Sequence, residues 1–141
     1  MNEIEITKVV PAAPDAVFRF WTEPEHVKQW WGPPGVTCTE AQVDLQVGGK
    51  YRIANLLPDG GTIWIHGEFE LVEPPRKLKY TWALGLDRLP AETVTVTFTK
   101  VAFGTEVRVL HTKIPDPSMA EGHRDGWVGC LEGLAEFAAR E

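Results

Sequence analysis

Apolar and polar residues alternate along EIEITKVV (3–10), the period-two pattern of a strand with one dry face. The next segment, PAAPDAVFRFW, changes period. Val17, Phe18 and Trp21 recur at helical spacing, and Pro14 suits a first turn where a missing N–H costs nothing, so a short helix is predicted over 14–22. TEPEHVKQWW predicts a second short helix with Pro24 early in it and Val27, Trp30 and Trp31 as its apolar residues. Gly32-Pro33-Pro34-Gly35 ends it, since proline cannot continue a helix. Trp30 and Trp31 fall about 100° apart around that helix, so they face different surroundings.

The pattern then returns to period two. Strands are predicted near 36–45, 49–57, 62–73, 77–84, 92–101 and 104–113. They are broken by GG (48–49), PDGG (58–61), PPR (74–76), DRLP (87–90) and FG (103–104). Short turns between consecutive strands imply an antiparallel meander. Thr93, Thr95 and Thr97 alternate with Val94, Val96 and Phe98, giving that strand one wet and one dry face. IPDP (114–117) stops the last strand, Ser118 is the expected N-cap, and a long helix is predicted from there nearly to Glu141. On it Met119, His123, Trp127, Cys130, Leu131, Leu134, Phe137 and Ala138 share one arc, with Asp125, Glu132 and Glu136 opposite. This helix is the expected cover for the dry face of the sheet.

Composition changes the picture little. The 141 residues suit one domain spanning 1–141. The net charge of −6 and the lack of a basic cluster speak against nucleic acid or an anionic membrane as partner. MNEIEITKVV has no long apolar run and reads as neither signal peptide nor membrane span. Cys38 and Cys130 stand far apart with no metal-ligand spacing and no evident activation. They read as buried small hydrophobes in a reduced, cytoplasmic compartment.

Candidate chemistry concentrates in a few places. Gly122, Gly126, Gly129 and Gly133 line one stripe of the last helix, each costing roughly 1 kcal/mol relative to alanine. Either the helix approaches its neighbours closely there, or the missing side chains leave room for a ligand. His123 sits within the apolar arc, and His111 shares the inward strand face of Val107 and Val109. The pair either fills ordinary core or rim positions, orients a ligand, or serves as acid and base. No third metal ligand stands at a recognisable spacing, so no metal and no cofactor is expected. Tyr51, Tyr80, Trp82 and Phe98 alternate inward, as core or as pocket wall. Asp44, Glu92 and Glu106 are read at strand ends or on the wet face, with no paired acid site. Trp64, His66, Glu68 and Glu70 are read as outward unless a bulge at Gly67 reverses the first half of that strand. An outward Trp64 suggests a partner or dimer surface. Ser118 is the only serine, which leaves nucleophilic serine chemistry unsupported, and no P-loop or dinucleotide fingerprint is present.

The segments APDAVFRFWTEPEHVKQWWGPPG, VGGKYRI, LPDGG, GEFELVEPPRKLKYTW, FGTEVRV and GWVGCLEGLAEF together resemble the heat-shock-protein ATPase activator homologue-like (AHSA-type) family of the SRPBCC, or START-type, superfamily. The resemblance implies an α+β helix-grip fold: a curved seven-stranded antiparallel sheet around a long C-terminal helix, with a deep cavity between them and two short helices near its opening. One of Trp30 and Trp31 would then plug the core and the other face the cavity mouth. Carriers, cyclases, dehydratases and co-chaperone parts all occur in the superfamily, and no shared catalytic set carries over.

Three functions follow as expectations. The first is binding of an apolar or aromatic small molecule, with Trp30 or Trp31, Tyr51, Tyr80, Trp82, His111, His123 and Trp127 lining the site. The second is a cyclase- or dehydratase-type enzyme in which a histidine moves a proton. The third is a stress-related protein-interaction module using the face around Trp64. Self-association as a homodimer is compatible with all three.

Overall fold

The computed structural model describes residues 2–85 and 91–141. The predicted turn at 87–90 lies outside the described residues. Ten elements follow one another: β1 (Asn2–Val10), α1 (Pro14–Thr22), α2 (Pro24–Trp30), β2 (Thr37–Val43), β3 (Lys50–Leu56), β4 (Thr62–Glu73), β5 (Lys77–Leu84), β6 (Glu92–Val101), β7 (Gly104–Ile114) and α3 (Pro117–Arg140). The seven strands form one antiparallel sheet in the order β1-β7-β6-β5-β4-β3-β2. β2 to β7 are a plain meander, and β1 closes the far edge against β7. The chain between β1 and β2 must therefore cross from one sheet edge to the other, and α1 and α2 make that crossing.

Period-two alternation sets the faces. Val94, Val96 and Phe98 on β6, and Val107, Val109 and His111 on β7, are buried. Alternate residues such as Thr95, Thr97, Glu106 and Arg108 face outward, where Arg108 pairs with Glu5 of β1. The ladder is irregular between Phe69 and Leu71 rather than at Gly67. Trp64 and His66 are half-buried, not exposed: the Arg52 guanidinium lies 4.4 Å from the Trp64 ring centroid, and His66 Nε2 stands 2.9 Å from the Gly85 carbonyl. The stacked arginine removes the bare aromatic surface that an outward Trp64 would present.

α3 begins differently from its sequence expectation. Asp116, not Ser118, is the N-cap: its Oδ1 accepts from the Met119 N–H at 2.9 Å and from the Ser118 hydroxyl at 2.7 Å. These two donors, the backbone one first, hold the Asp116 carboxyl below the usual carboxylate range. The serine orients the cap instead of forming it. Met119, placed in the apolar arc by its angle, is 37% exposed at the first turn of α3. From Trp127 onward the arc is as predicted, with Cys130, Leu131, Leu134, Phe137 and Ala138 buried.

α1 and α2 are clamped under the second half of α3. Phe20 meets Phe137 edge-to-face at 5.0 Å, and Trp30 donates its indole N–H to the Phe20 carbonyl at 2.8 Å. Past Trp31 the chain turns sharply. Gly32 has φ +113°, and a Cβ there would come within 2.6 Å of the Val36 carbonyl oxygen, so only glycine fits this turn.

Candidate functional site

The tandem tryptophans divide two tasks. Trp30 is buried against Trp21 and the backbone of α1, holding the short helices to the core. Trp31 points the other way, toward β3. Its Nε1–H donates to Asn55 Oδ1 at 2.9 Å, and Asn55 Nδ2 donates to the Ile53 and Ile63 carbonyls at 3.2 Å each. All of these buried polar atoms are thus satisfied.

Beside Trp31 a gap of about 230 Å³ opens between the first half of α3 and strands β3 to β5. Its wall is largely apolar: Trp31, Val36, Ile63, Ile65, Trp82, Leu84 and Trp127, with Asn55 and His123 as polar points. Gly122 and Gly126 border it, and a Cβ built at either meets no atom within 4 Å. Gly129 and Gly133 differ. Their Cβ atoms would lie 2.8 Å from Pro33 and 2.7 Å from the Trp30 carbonyl oxygen. Both readings of the glycine stripe therefore hold, each for one half of it.

Behind the gap lies a polar cluster. His111, fully buried on β7, and His123, on α3, stack with centroids 4.9 Å apart. Glu92 Oε1 stands 2.8 Å from His111 Nε2 and 3.0 Å from His123 Nε2. Trp127 Nε1 stands 3.0 Å from His111 Nδ1. An indole N–H only donates, so His111 Nδ1 accepts and carries no proton. The proton of the uncharged ring then sits on Nε2 and is donated to Glu92. The same carboxylate oxygen accepts from His123 Nε2–H, which leaves His123 Nδ1 as a bare lone pair. Among the described residues, no donor meets it. Trp82 places its ring edge-on to both imidazoles, at 4.7 and 4.8 Å, and its own Nε1 is buried without a partner.

Burial chiefly, and His111 next, lower the His123 pKa, while Glu92 and Asp116 oppose them. His123 is therefore uncharged at neutral pH. Burial raises the Tyr51 and Tyr80 hydroxyls and pushes the Cys130 thiol up to about 12, so these groups stay protonated.

Glu92 corrects the sequence reading. It stands at a strand end as expected, but it is 7% exposed and faces inward, not onto the wet face. The signal was available: the inward parity of Val94, Val96 and Phe98, extended by two residues, reaches Glu92. Asn55 follows Tyr51 and Ile53 by the same rule.

Glu92 also supplies the third donor that spacing did not show. One ligand atom from each of Glu92, His111 and His123 lies within 4.8 Å of the others. The tautomer decides between metal centre and hydrogen-bonded relay. A metal on His111 Nε2 requires the ring proton on Nδ1, where it would oppose the Trp127 N–H head to head. The cluster is built as a relay.

Of the eight candidates, Trp31, Trp82, His123 and Trp127 line the gap, and His111 backs it. Tyr51 and Tyr80 line a neighbouring void of about 30 Å³ with Phe69, where the Tyr51 hydroxyl donates to the Thr81 carbonyl at 2.7 Å. Trp30 faces neither. Cys38 and Cys130 are buried free thiols.

A seven-stranded antiparallel sheet gripping a long helix, with two short helices after the first strand, defines a helix-grip protein. The chain belongs to the family described as activator of Hsp90 ATPase homolog 1-like protein, which matches residues 11–139. Solved structures share the fold. A protein from Chromobacterium violaceum is 26% identical, with 96% of each chain covered and a TM-score of 0.86. The AHSA1 protein from Silicibacter pomeroyi is 23% identical over 99% of this chain and 100% of its own, with a TM-score of 0.87. A protein from Nitrosomonas europaea is 22% identical over 98% and 94%, with a TM-score of 0.84. No curated protein matches the chain. Among the described residues, no helix is long and apolar enough to cross a membrane.

Proposed function

We propose that the protein binds an apolar or aromatic small molecule between the sheet and the first half of α3. One observation carries this reading: the gap of about 230 Å³ with a largely apolar wall, kept open where Gly122 and Gly126 withhold side chains. Trp31, Trp82 and Trp127 offer ring faces and edges for burial, and His123 and Asn55 offer points for orientation. Native mass spectrometry of protein purified without detergent tests it, with Gly126→Leu as the filled-gap control. The expected result is an apolar small molecule retained or taken up by the native chain and excluded by the variant. Equal behaviour of the two proteins defeats the reading.

A second reading, proton-transfer catalysis, has its own support in Glu92. A carboxylate that fixes the His123 tautomer leaves a base at the pocket wall, an arrangement suited to taking a proton from a substrate held there.

A further inference from the structure

The polar cluster behind the gap leaves two groups unspent, and they are of opposite kinds. His123 Nδ1 is a lone pair without a donor among the described residues, because Nε2 already gives its proton to Glu92 Oε1 at 3.0 Å. Trp82 Nε1–H is a buried donor without an acceptor among the described residues. The two rings stand 4.8 Å apart, and both line the gap. A buried indole N–H without a partner is costly, and such groups are rare unless something outside the chain satisfies them. A lone pair and an N–H carried by adjacent rings are both matched by a group that donates and accepts through one atom. A hydroxyl does this; a hydrocarbon, an ether or a ketone does not.

Resting on the ligand-binding reading above, we infer that the pocket selects an aromatic or apolar molecule bearing a phenolic or enolic hydroxyl. Its O–H donates to His123 Nδ1, and its oxygen accepts from Trp82 Nε1–H. The relay behind the site enforces this polarity. Trp127 fixes the proton of His111 on Nε2, His111 and His123 both give their protons to Glu92, and His123 is left with nothing to offer a ligand except its lone pair. A ligand that presents only an acceptor meets that lone pair as a repulsion. A carboxylate ligand meets it and the buried Glu92 charge behind it. The hydroxyl is weakly acidic in a phenol or enol, which strengthens its donation to an imidazole.

Two measurements test the inference. In the native protein, 15N NMR of histidine side chains should show His111 and His123 both protonated at Nε2 and bare at Nδ1. A His123 proton on Nδ1 overturns the proposal without any ligand. Calorimetric titration with 2-naphthol, 2-methoxynaphthalene and naphthalene then reads selectivity. A hydrogen bond to an otherwise unpaired buried group predicts that 2-naphthol binds about tenfold or more tightly than the other two. His123→Leu should lose the hydroxyl preference, binding 2-naphthol no more tightly than naphthalene. Equal binding of all three probes by the native protein rejects the hydroxyl inference and leaves the pocket reading standing. Binding of none rejects both.

Discussion

In the first half of α3, Gly122 and Gly126 face open space. One and two turns further on, a Cβ at Gly129 or Gly133 would come within 3 Å of Pro33 or of the Trp30 carbonyl. The spacing is nearly the same and the surroundings are opposite. The second half is seated on α2 and the turn after it, so glycine there is a steric requirement. The first half borders the gap lined by Trp31, Trp82 and Trp127, so glycine there keeps a volume empty. A single helix thus serves as clamp at one end and as roof at the other. The clamp is what allows the roof to stand: α3 is anchored by Leu131, Leu134 and Phe137, which are almost wholly buried, and does not need to collapse onto β3 to β5.

The contrast can be broken most forcefully at its anchor. Phe137→Ala should cost about 3–5 kcal/mol of unfolding free energy, measured by denaturant titration. Met119→Ala at the exposed end should stay within about 0.5 kcal/mol. Similar losses at both positions would mean that the two halves are equally packed.

A smaller effect, but one that changes sign, comes from the glycines. Gly129→Ala and Gly133→Ala should destabilise, because overpacking against backbone costs about 1–3 kcal/mol, and the roughly 1 kcal/mol of recovered helix propensity offsets only part of it. Gly122→Ala and Gly126→Ala should instead stabilise by up to ~1 kcal/mol, since the added methyl meets nothing. Thermal midpoints of the four variants check the sign, and four shifts in one direction would refute the division.

The smallest expected effect is a pH dependence at the roof. Burial and His111 lower the His123 pKa, Glu92 and Asp116 oppose them, and the net direction is downward. The sign follows from proton binding: the unfolded chain holds the His123 proton at a pH where the folded chain has released it. This contribution is complete above the ordinary histidine value of 6.5 and is lost as pH falls from there through the lowered value. Urea midpoints should therefore fall on acidification, less steeply in His123→Gln. An unchanged slope in that variant would assign the acid sensitivity elsewhere.

The spacing of apolar residues, period two for the strands and helical for α1, α2 and α3, is enough to order all ten elements, with Gly or Pro marking the turns. The helix over 14–22 and the strands over 62–73, 77–84 and 92–101 lie within the limits that pattern drew. The site was legible only in part. Parity and helical angle point to His111 and His123, whereas the offset between Trp30 and Trp31 places one of them at the cavity mouth without saying which. Glu92 stands at a strand end as expected, but its inward side chain is not anticipated, because a charged residue at a strand start is ordinarily solvated. Only the approach of two imidazoles from β7 and α3 makes an inward carboxylate affordable, and that approach is a tertiary fact. Ser118 misled for a related reason: two oxygen-bearing side chains stood near the helix start, and the choice between them depends on backbone angles at Asp116 that no spacing reveals. The glycine stripe could not be resolved into its two roles, since a missing side chain looks the same in sequence whether it makes room for backbone or for nothing.

Trp21 on α1 and Trp127 on α3 lie nearly parallel, 12° apart with ring centroids separated by 5.9 Å. Two indole chromophores held so close share their electronic excitation, and the protein carries a built-in optical gauge of how its long helix sits on the first short one. The coupled signal in circular dichroism should fade when α3 lifts away, well before the strands lose their own signature.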